Sequence, residues 1–352
     1  MDTILFLAHA EADGTLPKAA YEALTAAKNL ARDLKGATLA AGLIGADVAA
    51  AANTLTGIER VLGVSGAEFA VSRYASDVAA AAALVSTSGA TIVVAPATPR
   101  FCRALPGAAA RLDGRIETQV TALSVENAAE GDAVNAERWF YRQRMVAKLS
   151  RSQRPWFLLT GAGAFEPAAS EPAQTGSGKV SLENVAVDLP VADLRTKVTG
   201  IEAAAAEAQT IRPDAETLLV AGAGWTKKQK DGATHVKDAS GLVLGFLELA
   251  RASLGSTKSL VDQSSEGAEV MSFMSHLNQV GQTGSTPRHR KGLATCCHGE
   301  EPHVVGWRFV TERRAINLDE TCGWAQGKAD VLYVADAFEV MAKVNALLEA
   351  DA

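Results

Sequence analysis

Cysteine and net positive charge are both in short supply. Four cysteines in 352 residues, two of them adjacent, cannot staple a small secreted domain, so a reducing bacterial cytoplasm is the expected setting. Thirty-four Lys and Arg against 40 Asp and Glu leave a formal charge of −6, which argues against general affinity for nucleic acid. No apolar run approaches the roughly 20 residues of a membrane span. The opening Met1–His9 has no basic stretch and soon turns polar, so it reads as a first strand and not as a signal peptide. Hydrophobic residues at 48% and a mean hydropathy near zero describe a soluble, globular chain. Its length predicts two domains, each with its own core.

Up to about residue 195, short apolar runs alternate with Ala-rich helical stretches. Strands are expected at Thr3–His9, Thr38–Ile44, Thr91–Ala95 and Ile116–Val120, and helices at Pro17–Leu34, Ser76–Ser86 and Arg100–Arg111. Pro17 suits a first helical turn and Gly36 a stop. This alternation predicts an α/β domain with a mostly parallel sheet covered on both faces. Glu137–Ser150 and Pro155–Thr160 read as strands closing that sheet. Arg138, Tyr141, Arg142 and Arg144 alternate with apolar neighbours, as a solvated strand face does, or as a basic edge toward a partner would. The Gly-, Pro- and Ser-containing stretch from Gly161 to Lys179 is a loop or linker, and the domain boundary is expected near 195–210.

The second domain opens with the apolar run Leu218–Ala221, which leads into a turn at Gly222-Ala223-Gly224-Trp225. An amphipathic helix is expected over Leu242–Leu254, stopped by Gly255. The last third then carries four loops of small residues and single polar side chains. They are Gly255-Ser256-Thr257-Lys258, Val280-Gly281-Gln282-Thr283-Gly284, Cys297-His298-Gly299-Glu300-Glu301-Pro302-His303, and Ala315-Ile316-Asn317-Leu318-Asp319. Backbone N–H groups in Gly-containing turns suit a phosphate, because nothing bulkier lets the chain approach so closely. Any one of these glycines is explained by a tight turn; four such loops in order are not.

At these residues the chain resembles the electron transfer flavoprotein alpha subunit family, whose loops read GASR, VGQTG, GISGAIQH, AIN.D and ADLF. From Gly281 to Asn317 the match needs no gap, and Asp336-Ala337-Phe338 falls on the last segment. The resemblance implies two α/β domains: a Rossmann-like N-terminal domain over 1–200 that contacts a beta subunit, and an FAD-binding domain over 210–352. It implies a heterodimer that binds FAD and carries electrons from flavoprotein dehydrogenases to a downstream acceptor, with no bond chemistry on this chain and no acid–base or nucleophilic residue. The cofactor-binding residues it implies are Thr257, Lys258, Val280, Gly281, Gln282, Thr283, Gly284, His298, Gly299, His303, Asn317 and Asp336. In that likeness Thr283 donates its hydroxyl to flavin N5, and His303 favours negative charge over N1 and O2. Asn317 and Asp336 hold the adenosine end, while Asp336 is also placed to cap the C-terminal helix.

Four departures stand out. Lys258 replaces an arginine and loses its planar stack and fork of donors. The strand-to-loop motif ending in GGRG loses its arginine at Gly224 or Trp225. His298 replaces a serine. Glu300-Glu301 brings carboxylates near a diphosphate, which Arg288-His289-Arg290-Lys291 could offset. These departures keep open a diverged subunit of a larger oxidoreductase assembly with altered or lost flavin. A nonredox adenine-nucleotide-binding protein is a further alternative. Cys296, Cys297 and Cys322 with His298 raise a metal or iron–sulfur site, although adjacent cysteines point in different directions and no C-x-x-C is present.

Overall fold

The computed structural model describes residues 2–58, 60–128, 131–140, 145–168, 181–190, 195–196, 198–200, 215–262, 269–280, 289–296, 307, 310–320 and 329–351. The chain divides into two compact units, Met1–Ile201 and Glu202–Ala352. Among the described residues no helix is long and apolar enough to cross a membrane.

The first unit holds strands β1 (Thr3–His9), β2 (Thr38–Gly45), β3 (Arg60–Ser65), β4 (Ile92–Pro96), β5 (Arg115–Ala128), β6 (Gly131–Phe140), β7 (Met145–Ser150), β8 (Trp156–Thr160) and β9 (Leu182–Asn184). They form one sheet in the order β7-β6-β5-β8-β4-β1-β2-β3-β9. From β5 to β9 all neighbours are parallel, while β5-β6 and β6-β7 pair antiparallel. The antiparallel edge divides the single run expected over Glu137–Ser150 into two strands. On that edge Arg138 donates to Glu117 Oε2 at 2.9 Å and lies 4.4 Å from the Phe140 ring centroid, so its charge is tied to the sheet. Tyr141, Arg142 and Arg144 lie outside the described residues.

Across β8, β4, β1, β2 and β3 both faces of this sheet are dry, while the edge strand β7 is largely exposed. Ile4, Phe6 and Ala8 pack with Ala20, Ala23 and Ala27 of helix α1 (Lys18–Asp33). Leu5 and Leu7 point the other way, into a core with Val78, Ala81 and Leu84 of α3 (Tyr74–Ser88) and Phe101 and Leu105 of α4 (Pro99–Arg111). The short helix α2 (Ala49–Ala52) follows β2. Alanine on the helix side lets each helix approach closely, and the larger Leu, Ile and Phe side chains of the strands fill the space. At the carboxyl ends of β1 and β4, His9 Nε2 meets Thr98 Oγ1 at 3.2 Å. Beneath them Arg100 grips Asp77 with Nη2–Oδ1 at 2.7 Å, both side chains buried.

The second unit is a five-stranded, wholly parallel sheet in the order β11-β10-β12-β13-β14. Its strands are β10 (Thr217–Ala221), β11 (Ser253–Ser256), β12 (Lys291–Thr295), β13 (Glu312–Asn317) and β14 (Val331–Val334). Helices α5 (Val236–Leu249) and α7 (Ala337–Ala350) cover one face, around Trp225 and Met341. Trp307, Val310 and Val280 cover the other. Helix α6 is the short Lys258–Asp262.

The expected helix over Leu242–Leu254 is corrected here. Helix α5 ends at Leu249, Arg251 takes φ 48°, and Ser253–Ser256 is strand β11. Gly255 therefore does not stop a helix. It lies mid-strand, where an added Cβ would sit 2.4 Å from Val280 Cγ2, and its missing side chain lets the Val280 segment close against the sheet.

Candidate functional site

In an open parallel sheet, ligands bind outside the carboxyl ends of the strands, at the point where successive connections turn in opposite directions. In the second sheet that point lies between β10 and β12. The paired residues at the carboxyl ends are Ala221 with Ser256, Ala221 with Thr295, Thr295 with Ile316, and Asn317 with Val334. Every described residue of the implied cofactor-binding set lies along this one edge. Thr257 and Lys258 follow β11, Val280 lies beside it, Asn317 ends β13, and Asp336 follows β14.

Each contributes differently. Thr257 is buried, its N–H donates to Ala221 O at 3.0 Å, and its hydroxyl accepts from Leu260 N–H at 3.4 Å. It therefore ties β11 to β10 and opens α6. Lys258 is half-exposed and reaches Asp262 Oδ2 at 3.8 Å. Val280 is fully buried and its N–H donates to Ser256 O at 3.1 Å. Only its backbone can serve a ligand directly. Asn317 is buried, and its carbonyl accepts from Ala335 N–H at 3.0 Å. Asp336 caps α7 by accepting from Phe338 N–H at 2.9 Å, and its second oxygen lies 3.9 Å from Lys230 Nζ. Capping and cleft-lining are thus carried by the same carboxylate.

Asn317 and Asp336 both line a shallow surface cleft of about 10 Å³, room for about one water, which Gln229, Cys296, Leu318 and Phe338 also line. Two further polar groups stand at the end of β11. Ser256 and Gln279 pair side by side through an isolated parallel bridge. Ser256 Oγ and Gln279 Oε1 are both buried without a hydrogen-bond partner among the described residues. Buried polar atoms are nearly always satisfied, so these two, together with the cleft, fit an edge built to take a polar ligand. Sequence reading missed Gln229, Ser256 and Gln279 as candidates. The signal available was position alone: Ser256 precedes Thr257, and Gln279 precedes the Val280–Gly284 loop.

Gly281, Gln282, Thr283, Gly284, His298, Gly299 and His303 lie outside the described residues, as do Cys297, Cys322, Glu300 and Glu301. Cys296 is buried with φ 57°; its N–H donates to Ile316 O at 3.2 Å and its carbonyl accepts from Gly224 N–H at 3.0 Å. Trp225, near the position where the GGRG motif carries arginine, is core. It is fully buried, lies 4.7 Å from the Phe338 ring, and donates its indole N–H to Thr295 Oγ1 at 2.8 Å. The described part of the basic run is engaged locally: Arg290 faces Glu312 at 3.3 Å and Lys291 faces Glu216 at 2.8 Å. Those charges secure the amino end of β12, opposite the carboxyl edge.

A family model described as the electron transfer flavoprotein domain matches residues 4–190. The electron transfer flavoprotein subunit alpha of Clostridium acetobutylicum is 27% identical over 344 residues, covering 96% of this chain and 94% of that protein. The protein FixB of Clostridium saccharobutylicum is 29% identical over 231 residues, covering 66% of this chain and 60% of that protein.

Proposed function

The chain belongs to the electron transfer flavoprotein family, and from that premise we propose that it is the alpha subunit of a heterodimer, holding FAD along the carboxyl edge of its second sheet. Bound FAD supplies the electron-carrying chemistry; the residues of this chain bind it, orient it and keep water from its reactive edge. The observation that carries the reading is the alignment of Thr257, Lys258, Val280, Asn317 and Asp336 along one sheet edge. From Ser256 to Val334 that edge crosses four strand intervals, roughly 19 Å at the usual strand spacing, a span suited to an extended dinucleotide.

Within this reading, Asn317 and Asp336 hold the adenosine end in the cleft. The loop of Gly281, Gln282, Thr283 and Gly284 faces the flavin, with Gly299 and the neighbouring His298 and His303 completing the set. Lys258 keeps a positive charge beside the ring without a planar stack. The beta subunit closes the site from outside. Electrons come from a flavoprotein dehydrogenase and leave to a downstream acceptor.

The test is co-expression with the beta subunit, followed by a visible spectrum and mass spectrometry of the released cofactor. Stoichiometric FAD with flavin absorbance is expected. A folded heterodimer that stays colourless after FAD addition overturns the reading, and bound AMP or ATP without flavin replaces it with a nonredox nucleotide-binding role.

A further inference from the structure

We propose that Asp262 is a positioning residue for the flavin site: its carboxylate holds the Lys258 ammonium and sets how much of that positive charge reaches the cofactor. The proposal rests on the FAD reading above. Helix α6 spans Lys258–Asp262, so the two charges stand four residues apart on one face. Leu260 and Val261 are buried, which turns that face outward. Lys258 Nζ lies 3.8 Å from Asp262 Oδ2. The other carboxylate oxygen, Oδ1, lies 3.7 Å from His276 Nδ1. His276 opens the short 3₁₀ turn His276–Asn278, which a capping box locks: Ser275 Oγ accepts from Leu277 N–H at 3.2 Å, and Asn278 Oδ1 accepts from Ser275 N–H at 3.0 Å. The Ser256–Gln279 bridge and Val280 N–H then join this turn to β11. Asp262 is thus held between two anchored elements, and the lysine with it.

Helix energetics disfavour the pair. It sets a cation at the amino end of α6 and an anion at its carboxyl end, the reverse of what the helix dipole favours. Lysine before the acid is also the less favourable order at this spacing. All three side chains are more than a third exposed, where an ion pair adds little to stability. Position supplies the reason. Thr257 and Lys258 leave β11 at the carboxyl edge of the sheet. A cation there favours the reduced, more negative form of an electron carrier. A lysine without a partner would act at full strength and in no fixed direction, because its four-carbon stem is flexible. Among the described residues, β11 and the 3₁₀ turn Ala223–Thr226, both packed near α6, carry only neutral side chains. Asp262 is therefore the described anion that sets the direction and the net charge of Lys258.

The experiment measures, on the intact heterodimer, the dissociation constants of oxidised and reduced FAD, whose ratio sets the reduction potential of the bound cofactor. Asp262→Asn should raise the ratio of the oxidised to the reduced constant by about twofold to fivefold, the range of an exposed charge pair. Asp262→Glu keeps the charge and should stay near the parental ratio. Repeating Asp262→Asn in a Lys258→Met background separates positioning from a direct field of the carboxylate: acting through Lys258, the change should largely vanish. Thermal unfolding of each variant keeps a folding defect out of the comparison. An unchanged ratio in Asp262→Asn, the same rise with and without Lys258, or an Asp262→Glu protein that matches Asp262→Asn overturns the role of Asp262 and leaves FAD binding intact. Parental protein that takes up neither form of FAD overturns both readings.

Discussion

Replacing Gly255 by alanine tests how the Val280 segment is fixed to the sheet. A Cβ at 255 lies 2.4 Å from Val280 Cγ2, 3.2 Å from Leu218 Cδ1 and 3.4 Å from Leu219 O. Carbon atoms in contact sit about 3.5–4.0 Å apart, so Val280 must retreat by about 1 Å. The backbone carbonyl of β10 blocks a compensating shift of β11. Overpacking of this kind costs about 1–3 kcal/mol, offset by about 0.5–1 kcal/mol from the smaller backbone entropy of alanine. The net loss expected is about 1–2 kcal/mol. Val280→Ala alone removes two buried methyl groups and leaves a cavity, for a loss of about 2 kcal/mol. In the double variant the methyl at 255 occupies part of the space that Cγ2 leaves, so its loss should fall below the sum of the single losses by at least about 1 kcal/mol. Urea denaturation read by hydrogen exchange over Thr217–Ala221 and Ser253–Ser256 localises the effect to this sheet. FAD affinity should fall in Gly255→Ala and recover in the double variant, because Val280 leads directly into Gly281. Additive losses, or a Gly255→Ala protein as stable as the parent, refute the close approach as the cause.

Two further perturbations probe the first unit. His9 is held neutral by burial and, secondarily, by the Arg100 charge, with its pKa lowered from 6.5 to about 4. The unfolded chain takes the proton near 6.5, so stability is complete above that pH and is lost as pH falls toward 4. The interval corresponds to about 3 kcal/mol at most; His9→Gln should remove this slope from the urea midpoint between pH 7 and 5, and parallel profiles for parent and variant would contradict it. Burial of Asp77 raises its pKa despite the opposing pull of Arg100. Asp77→Ala should therefore cost about 3–5 kcal/mol by stranding the Arg100 guanidinium, whereas joint replacement of both residues by apolar side chains should cost far less; equal losses in thermal or urea unfolding would count against a buried pair.

The βα alternation was legible because the central strands of each sheet are buried on both faces. Apolar runs such as Leu5-Phe6-Leu7 could be nothing but buried strands once Ala-rich helices flanked them. The described ends of the last-third loops, at Thr257, Asn317 and Asp336, fall at strand ends for a different reason: small and single polar residues mark the turns that follow buried strands. What one-dimensional periodicity could not convey was which residues become neighbours. Ser253–Ser256 continues an apolar helical pattern, yet it pairs with β10, because tertiary burial outweighs local propensity over four residues. Trp225 and Thr295 are 70 positions apart and meet only through the parallel register of β10 and β12. The same register sets Asn317 beside Asp336 in one cleft and brings Gln229 to its wall. Patterns along the chain mark the buried strands and Ala-rich helices of the first unit; long-range pairing, which no pattern along the chain encodes, fixes the strand order, makes Ser253–Ser256 a strand and decides which strand ends share an edge.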